Sequence, residues 1–467
     1  MSAPREIERP DQGLVITLSP GEVRAGLLEQ GKLVELTVTR RDRASHVGDV
    51  FRARVTAVDA AIRGAFVELG SAGAAFLGFE AGGETVSEGE KLLVQVKRDA
   101  ENGKPPSVSR RIELAGRLAV YLPGGTEIAA SRRLPMPERR RLVEEAAASA
   151  RPGEGWQLRT AAAVAPPKSL AAEMGSLRDL AAGWSAEGAS GLVHAEPGAV
   201  ARALSDTLDL ELDQVLIDDA AGLKAAQDWC RRWRPDLAER ITLWPGPADL
   251  FESLGLESEI EQALARRLTL EGGGAIIIER TRALTSIDVD RASAQDQPVE
   301  INGRAALELL RQLRLRDIGG MILVDFLRMR QREERDQLLQ VLREEARYDP
   351  LGLEIMGFTR AGLVELVRPR RRAGLAELML QNCEPCAGLG SVRHPEAQAY
   401  AALRALLREA RHDPAARVGI AASPDIAAAF AGPAAGALAE AGERLGVAIA
   451  VTTDPALAPD RYELRPS

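Results

Sequence analysis

The hydrophobic pattern over residues 272–329 predicts two strands, a helix and a third strand. The apolar run at residues 275–279 is too short for a helix and predicts a buried strand. Alternating side chains at residues 284–290 predict a second strand, and residues 303–316 repeat apolar side chains at helical spacing. A short apolar run at residues 321–324 predicts the third strand. The second and third strands are therefore expected to be joined through one helix.

Acidic residues stand at or near the ends of these strands. Alternation puts Ser286, Asp288 and Asp290 on one face of the second strand, and Asp325 closes the third. Carboxylates there are partly desolvated, so they need a cation or hydrogen-bond donors. A divalent ion such as magnesium takes one or two carboxylates and keeps waters for a phosphate substrate. For an isolated pair, turn capping or pairing with Arg is the commoner role, so this pattern alone leaves both roles open.

The remaining segments predict a mixed α+β protein of several domains. Residues 13–38 predict a β-meander with tight turns at glycines. Residues 46–113 hold five short strand-like runs, which predict an OB-type barrel. Strand and helix patterns alternate over residues 114–264 and again over residues 395–467. A chain of 467 residues is long enough for three or more such domains.

Composition excludes a generally basic nucleic-acid binder, because the net charge is −8 at pH 7. Arginine is nevertheless clustered at residues 132–141, 311–316 and 368–372. Each cluster fits either a solvated face or a phosphate contact. No apolar run approaches 18 residues and the first residues are polar, which predicts a cytoplasmic protein without a membrane segment.

The number and placement of histidines and cysteines limit which catalytic, metal-binding or disulfide chemistry the chain can support. The four histidines are scattered, which argues against a metal-free nuclease built on histidine acid–base catalysis. Cys230 lies in a helical pattern and is predicted to be core. Cys383 and Cys386 form a C-x-x-C pair, and three cysteines in a cytoplasmic chain argue against a disulfide framework.

The sequence around the two carboxylates closely resembles one family. ALTSIDVD at residues 283–290 and RQLRLRDIGGMILVDF at residues 311–326 are similar to the catalytic core of the ribonuclease E/G endoribonucleases. The resemblance implies that Asp288 and Asp325 hold a magnesium ion, which polarises a phosphoryl oxygen and activates a water. It implies cleavage of single-stranded RNA to 5′-phosphate and 3′-hydroxyl ends, in RNA processing or decay. Because no long scaffold tail follows, the chain is expected to resemble the shorter, ribonuclease G-like members.

Domain boundaries follow from the same resemblance. The implied domains are an RNase H-like subdomain in two parts (residues 1–45 and 205–264), an inserted S1 RNA-binding barrel (46–113), a 5′-sensor region (114–204), a DNase I-like α/β catalytic domain (265–380), a zinc-link (381–391) and a small C-terminal α/β dimerisation domain (392–467). Asp218 and Asp219 end a strand in the second part of the RNase H-like subdomain and are expected to be structural.

RNA-contact residues are implied in the barrel and in the region that follows it. Phe66 and Phe76 match positions where S1 domains of this family stack bases, which needs only an exposed aromatic face. The alternative is that both rings belong to the barrel core. Lys104 is a candidate phosphate contact, and Arg132 and Arg133 match a basic pair expected along the RNA path. The segment that ends in the arginines of residues 368–372 also resembles one of the family, which implies that these arginines face RNA or a partner subunit.

A terminal phosphate pocket is implied by LRTAAA at residues 158–163, which is similar to the family's 5′-end sensor. Arg159 and Thr160 match the pair that grips the phosphate, and Gly116 and Val120 match the facing wall. Arginine with a hydroxyl makes a charge-assisted and geometrically selective phosphate clamp. Without that context, an Arg-Thr pair at a strand edge would be unremarkable.

The segment CEPCAGLG at residues 383–390 resembles half of a zinc knuckle. Zinc commonly takes four tetrahedral ligands, whereas Cys383 and Cys386 supply two. One zinc shared between two chains completes the set, so a zinc-linked homodimer is expected, and further pairing into a tetramer is left open. A redox C-x-x-C is the alternative, but it usually opens a helix in a thioredoxin-like fold, which the sequence does not indicate.

Several positions depart from the family pattern. Arg282 and Arg328 stand where the family commonly has acidic residues near the site. Asn302 matches the family, but Gly303 and Arg304 replace the usual Leu-Glu. These changes keep two other functions open. One is an RNA-binding protein with a weakened catalytic site, and the other is a structural zinc-linked oligomer that recruits RNA.

Overall fold

The computed structural model describes residues 8–41, 45–79, 85–100, 104–246, 248–370, 372–383, 385–386, 388, 390–412 and 418–466. The chain divides into two compact units, Met1–Leu378 and Met379–Ser467. Both units combine helices with sheets, which confirms the mixed α/β multidomain class predicted from the sequence.

The described elements are numbered in chain order. The strands are β1 (Gly13–Ser19), β2 (Glu22–Glu29), β3 (Lys32–Arg40), β4 (Val50–Asp59), β5 (Gly64–Glu68), β6 (Ala74–Gly78), β7 (Lys91–Arg98), β8 (Ser107–Ser109), β9 (Leu114–Ala115), β10 (Ala119–Pro123), β11 (Ile128–Ala130), β12 (Glu154–Leu158), β13 (Gly191–His194), β14 (Gln214–Ile217), β15 (Ile241–Leu243), β16 (Arg267–Thr269), β17 (Ala275–Arg280), β18 (Thr285–Asp290), β19 (Gly320–Asp325), β20 (Glu354–Phe358), β21 (Val364–Arg368), β22 (Val418–Ala422), β23 (Val451–Thr453) and β24 (Tyr462–Pro466). The helices are α1 (Met136–Ser149), α2 (Pro167–Leu180), α3 (Ala199–Asp206), α4 (Ala220–Trp233), α5 (Leu250–Ser253), α6 (Leu256–Leu264), α7 (Pro298–Leu315), α8 (Arg332–Ala346), α9 (Leu375–Met379), α10 (Pro395–His412), α11 (Pro424–Ala431) and α12 (Ala435–Leu445).

The first sheet is built from two distant parts of the chain, in the order β3–β2–β1–β14–β15. The opening meander is antiparallel, and β1 then pairs in parallel with β14, as β14 does with β15. Asp218 accepts a hydrogen bond from the backbone N–H of Leu18 at 2.9 Å, and Asp219 caps α4 by accepting from Gly222 at 2.7 Å. Both aspartates therefore hold this sheet and its helix together.

Strands β4, β5, β6, β8 and β7 close into a barrel, because β7 pairs back with β4. Their inward side chains form a common core that includes Val55, Ala65, Val67, Ala75 and Leu77. Strand β13 extends the barrel sheet along β4. The OB-type barrel predicted from five strand-like runs is confirmed.

A smaller sheet in the order β11–β12–β10–β9 follows the barrel in sequence. Helices α1 and α2 pack against it through buried residues such as Leu142, Trp156 and Met174. The turn between β9 and β10 and the end of β12 come together at one end of this sheet, where the backbone N–H of Arg159 donates to the carbonyl of Leu118 at 2.8 Å.

The predicted strand–strand–helix–strand segment lies in a sheet of order β16–β17–β18–β19–β21–β20. Its inner face packs on α7 and α8 through residues such as Ile287, Leu309, Val324 and Leu342. Helix α7 begins five residues before the predicted start, because a capping box joins Gln297 and Glu300 around a favourable first-turn proline. The opposite face of the sheet carries the polar side chains.

The arginines near the end of α7 are largely buried and pair with carboxylates of other elements. Arg314 forms ion pairs with Glu29 and Glu35 of the first sheet, both at 2.7 Å. Arg311 pairs with Glu259 at 3.2 Å. These side chains tie α7 to the first sheet and to α6, so both roles considered for this cluster are wrong for them.

The last arginine cluster is also largely internal. Arg368 is 3% exposed and pairs with Asp349 at 2.7 Å. Arg372 pairs with Asp206 of α3 at 3.2 Å. The expectation that this cluster faces RNA or a partner is therefore wrong for Arg368, whereas Arg371 lies outside the described residues.

The second unit has a sheet of order β23–β22–β24 covered by α10, α11 and α12. Strand β22 is parallel to β23 and antiparallel to β24. Within the part of the chain that the structure describes, none of the helices combines the length and the apolar character needed to cross a membrane.

Candidate active site and RNA-contact residues

The two strand-end carboxylates lie side by side on neighbouring parallel strands. Asp288 of β18 is the register partner of Asp325 of β19, and adjacent strands are about 4.8 Å apart. The residues before and after Asp288 are buried, whereas Asp288 and Asp325 are exposed on the outer face. The predicted face of Ser286, Asp288 and Asp290 is confirmed by this alternation.

The Asp288–Asp325 pair has no ion-pair partner among the described residues. Asp290, on the same face, pairs with Arg267 at 2.9 Å. By contrast, the side chains of Asp288 and Asp325 make no hydrogen bond or ion pair with any described residue. Partial burial and the nearby carboxylates of Asp325 and Asp290 raise the pKa of Asp288 above its ordinary value. Two mutually repelling carboxylates of this kind favour a bound cation.

The donor set fits a hard divalent ion that keeps several of its waters. Magnesium is usually held by one or two carboxylates together with substrate phosphates, which matches a pair on an open sheet face. Among the described residues, no group of three or more His, Cys, Asp or Glu side chains could enclose a metal ion.

Asn302 fixes the backbone that follows Asp325. Its side-chain amide donates to the carbonyl of Leu327 at 2.8 Å, and its oxygen accepts from the N–H of Leu327 at 2.9 Å. Asn302 is fully buried in α7. The helix that links the two carboxylate strands thus also holds the segment leaving the second of them. Arg328, one residue further on, is exposed, as is Arg282.

We expect Asn302→Ala to destabilise this segment by about 2 kcal/mol, because two buried hydrogen bonds are lost and their backbone partners are left unpaired. Urea unfolding measures the loss, and hydrogen exchange should show faster exchange at residues 325–329. Gln340→Ala, on the exposed side of α8, is the control and should change stability by less than about 0.5 kcal/mol. Unchanged exchange at residues 325–329 would contradict this role of Asn302.

Phe66 and Phe76 face away from the barrel core. They are register partners on β5 and β6, and their rings meet edge to face at a centroid distance of 5.8 Å. Their neighbours along the strands are core residues, whereas both rings are half-buried. Gly64 makes room for this arrangement, because a Cβ there would lie 2.3 Å from the Phe76 ring. The core alternative for both rings is therefore wrong.

The basic candidates lie on exposed parts of the same unit. Lys104 is exposed, and Pro106, two residues on, accepts a hydrogen bond from the backbone of Phe76 at 2.8 Å. Arg132 and Arg133 are exposed ahead of α1. The Arg133 guanidinium donates to the backbone carbonyl of Arg347 at the end of α8.

The predicted phosphate pocket is assembled from the β9–β10 turn and the end of β12. Gly116 and Val120 flank Leu118, whose carbonyl accepts from Arg159, and Thr160 follows in a 3₁₀ turn. The structure therefore brings Gly116, Val120, Arg159 and Thr160 to one end of this sheet.

Two carboxylates at this pocket were not anticipated from the sequence. Glu173 of α2 accepts hydrogen bonds from the backbone N–H groups of Leu118 and Ala119 at 2.7 and 3.1 Å. Asp209 pairs with the Arg159 guanidinium at 2.9 Å. Both acids come from elements distant in sequence, so no local motif marks them.

The cysteine pair lies in the second unit, before α10. Cys383 is exposed and Cys386 is partly exposed. The Cys386 sulfur accepts from the backbone N–H of Gly390 at 3.4 Å, a contact typical of metal-binding turns as well as of reduced thiols. Residues 384, 387 and 389 lie outside the described residues. Cys230 is buried in α4, as predicted.

The OB-type barrel with outward aromatic rings and the open pair of in-register carboxylates are features that suit a nuclease acting on RNA. The chain belongs to the ribonuclease E/G family and is an endoribonuclease, because the family model described as "Ribonuclease E/G family" matches residues 113–371, more than half of the chain. It is ribonuclease G-like in extent, since its similarity to ribonuclease G covers nearly the whole of both chains.

The similarity spans nearly the full length of ribonuclease G relatives but less than half of ribonuclease E. Ribonuclease G of Escherichia coli K12 is 27% identical over 97% of this chain and 99% of its own length. Ribonuclease G of Haemophilus influenzae is 28% identical over 85% of this chain and 87% of its own length. Ribonuclease E of Escherichia coli K12 is 30% identical over 83% of this chain but only 40% of its own length.

The second unit corrects one expectation. A model described as "RNase E/G, Thioredoxin-like domain" matches residues 382–467. The view that no thioredoxin-like fold is present was therefore wrong, because short Ala-rich helices and short strands gave a weak sequence pattern. The thioredoxin-like match does not support a redox role for Cys383 and Cys386. Neither cysteine opens α10, because the helix begins at Pro395, nine residues after Cys386 and twelve after Cys383.

Proposed function

We propose that this endoribonuclease cuts single-stranded RNA by magnesium-dependent hydrolysis of phosphodiester bonds at Asp288 and Asp325. The observation that carries the proposal is the in-register pair of carboxylates on an open face, neither of which forms an ion pair with a residue that the structure describes. Members of the family generally depend on a metal ion, and this pair is the donor set that suits magnesium.

When bound, magnesium would polarise the scissile phosphate and lower the pKa of a coordinated water. The protein side chains would contribute to catalysis by positioning the ion and the backbone around it. Asp288 and Asp325 would hold the ion on rigid neighbouring strands, and Asn302 would keep the backbone after Asp325 in place. Attack by water on the phosphorus with departure of the 3′-oxygen leaves 5′-phosphate and 3′-hydroxyl ends. The proposed biological role is RNA processing or decay.

An RNA-binding protein of the same fold with a weakened catalytic site is the second candidate, favoured by Arg282 and Arg328 at positions where acidic residues are common in the family. Incubating the protein with a short 5′-monophosphorylated RNA and magnesium distinguishes the two. We expect cleavage that stops when EDTA removes the metal. Binding without cleavage over a range of magnesium concentrations would favour the second candidate.

The proposed RNA path begins on the barrel. Phe66 and Phe76 present ring faces for stacked bases, and Lys104, Arg132 and Arg133 would contact phosphates. Their shared exposure on one unit supports this path. In the same scheme the strand order β3–β2–β1–β14–β15 supports the name RNase H-like for the first sheet. The names S1, 5′-sensor and DNase I-like, with the boundaries given above, are proposed on the same basis.

We expect Phe66→Ala and Phe76→Ala each to weaken single-stranded RNA binding by about fivefold or more, since a stacked base is worth about 1–3 kcal/mol. Fluorescence anisotropy with a labelled oligonucleotide measures this. Phe66→Tyr should retain binding because it keeps the ring face. Ile62→Ala, which truncates an exposed apolar side chain of the barrel, is the control. Equal losses in the Ile62 variant would argue against stacking.

We further propose that Arg159 and Thr160 bind the 5′-monophosphate of RNA, with Gly116 and Val120 as the facing wall. Arg159→Ala should reduce the preference for 5′-monophosphorylated over 5′-hydroxyl RNA by about tenfold or more, because charged hydrogen bonds contribute about 1.5–3 kcal/mol. The ratio of cleavage rates for the two RNAs is the measurement. Arg231→Ala, at an exposed site on α4, is the control. A ratio unaffected by Arg159→Ala would refute the sensor.

The proposed assembly is a homodimer linked by one zinc ion that takes Cys383 and Cys386 from each chain. The two thiols are accessible and three residues apart, which is the spacing of half a tetrahedral thiolate site. Further pairing of dimers is compatible with this link.

A further inference from the structure

The guanidinium of Arg159 is already bound to an anion of its own chain. Its Nη1 lies 2.9 Å from Oδ2 of Asp209. The side chains are 25% and 46% exposed, so both partners remain reachable by a ligand. Any phosphate that binds Arg159 must share or replace this contact.

The loop that carries Asp209 is held rigidly. Arg234, 1% exposed, donates through Nη1 to the carbonyls of Thr207, Leu208 and Leu210, at 3.1–3.4 Å. These carbonyls flank Asp209 on both sides. The position of Asp209 is therefore set by a buried cation, in contrast to a chance contact between two flexible surface side chains.

The same network reaches the other wall of the pocket. Asp236 fixes Arg234 at 2.9 Å and also accepts from Arg117 at 2.9 Å. Arg117 lies in the β9–β10 turn, beside the N–H groups of Leu118 and Ala119. One set of ion pairs thus spaces the Asp209 loop against the turn that faces Arg159.

The remaining donors of the pocket are also occupied by a carboxylate. Oε1 of Glu173 accepts from Leu118 and Ala119, and a Cβ on Gly116 would lie 2.3 Å from that oxygen. Burial raises the pKa of Glu173 in spite of these hydrogen bonds. Glu173 thus occupies the backbone donors of the turn, and Asp209 occupies the Arg159 guanidinium.

We propose that Asp209 competes with the RNA 5′-phosphate for Arg159 and thereby sets how strongly the enzyme discriminates between 5′ ends. This inference rests on the proposed phosphate-sensing role of Arg159. A terminal phosphate carries about −1.5 to −2 charges at pH 7, so it can displace a singly charged carboxylate. A 5′-hydroxyl end carries no such charge and leaves the ion pair intact.

The test is Asp209→Asn, which keeps the size of the side chain and removes its charge. Solvent weakens an exposed ion pair, so removing one changes an affinity by only a few fold. We therefore expect the KM for 5′-monophosphorylated RNA to fall about three- to fivefold, with kcat unaltered because the bond is broken elsewhere. Glu211→Gln is the matched control. It removes one charge from the same loop, from a carboxylate 3.9 Å from Arg117 and not on Arg159.

The double variant Arg159→Ala/Asp209→Asn separates the possible outcomes. With Arg159 absent, removing the Asp209 charge should give no further gain in the KM for 5′-monophosphorylated RNA. If Arg159→Ala lowers the end preference but Asp209→Asn leaves KM unchanged, the competition is refuted and the sensor stands. An equal gain in Glu211→Gln would also refute it, since bulk charge would then account for the effect. If Arg159→Ala leaves the preference intact, the sensor itself fails.

Discussion

Replacing Asp288 or Asp325 by asparagine should lower RNA cleavage at least about 1,000-fold, which corresponds to about 4 kcal/mol of transition-state stabilisation. An amide keeps the shape of the side chain but removes the charge that would hold the cation. Because the two carboxylates are register partners, either change leaves a single ligand on an exposed sheet face. Both variants should therefore fail to a similar extent, and their combination should be little worse than either alone.

The measurement is the single-turnover cleavage rate of a labelled RNA at saturating magnesium. Binding of the same RNA, followed by anisotropy, should be retained, because the proposed RNA-contact residues lie outside this site. Asp290→Asn is the matched control. Asp290 shares the face but is already paired with Arg267, so its replacement should change the rate by only a few fold. Magnesium-dependent cleavage at near-normal rates in Asp288→Asn would overturn the metal assignment.

Replacing both Cys383 and Cys386 by serine should remove zinc and shift the protein from dimer to monomer. Two thiolates cannot complete a tetrahedral site within one chain, so metal binding and assembly should depend on each other. Elemental analysis should give one zinc per two chains before the change and none after it. Light scattering or native mass spectrometry should show the loss of the dimer.

Cys230→Ala provides the control for the cysteine experiment. Burial raises the pKa of the Cys230 thiol to about 12, so it stays protonated and cannot act as a thiolate ligand. This variant should keep both zinc and the dimer, although a buried side chain is shortened. One zinc per single chain, or an unchanged mass in the double serine variant, would rule out the shared site.

Local patterns were sufficient to predict the carboxylate pair and the barrel. Period-two alternation put Asp288 on the polar face of β18, and the short apolar run ending in Asp325 defined β19. Since a helix connects these strands in parallel, their carboxyl ends meet at one edge of the sheet. The five strand-like runs of the barrel were visible for the same reason, because each is bounded by turn residues.

Contacts between distant segments could not be predicted in the same way. Asp209 reaches Arg159 from a loop 50 residues later in the chain, and Arg314 of α7 reaches Glu29 and Glu35 across the whole barrel insertion. The arginine-rich stretches therefore looked like candidate RNA surfaces. In the stretches at residues 311–316 and 368–372, arginines such as Arg314 and Arg368 pair with carboxylates inside the protein. Arg132 and Arg133 of the first stretch are exposed instead. This difference depends on tertiary pairing and not on composition.

The ion pairs of Arg314 limit how this enzyme can be divided or recombined. Helix α7 connects the strands that carry Asp288 and Asp325, and Arg314 near its end is held by two glutamates of the first sheet. A fragment beginning at residue 265 would lack Glu29 and Glu35, so the Arg314 guanidinium would lose both partners and the face of α7 that packs on the first sheet would be exposed. Chimeras with ribonuclease G relatives should thus exchange the opening meander and α7 together, since each is fitted to the other and residues in direct contact do not contribute independently.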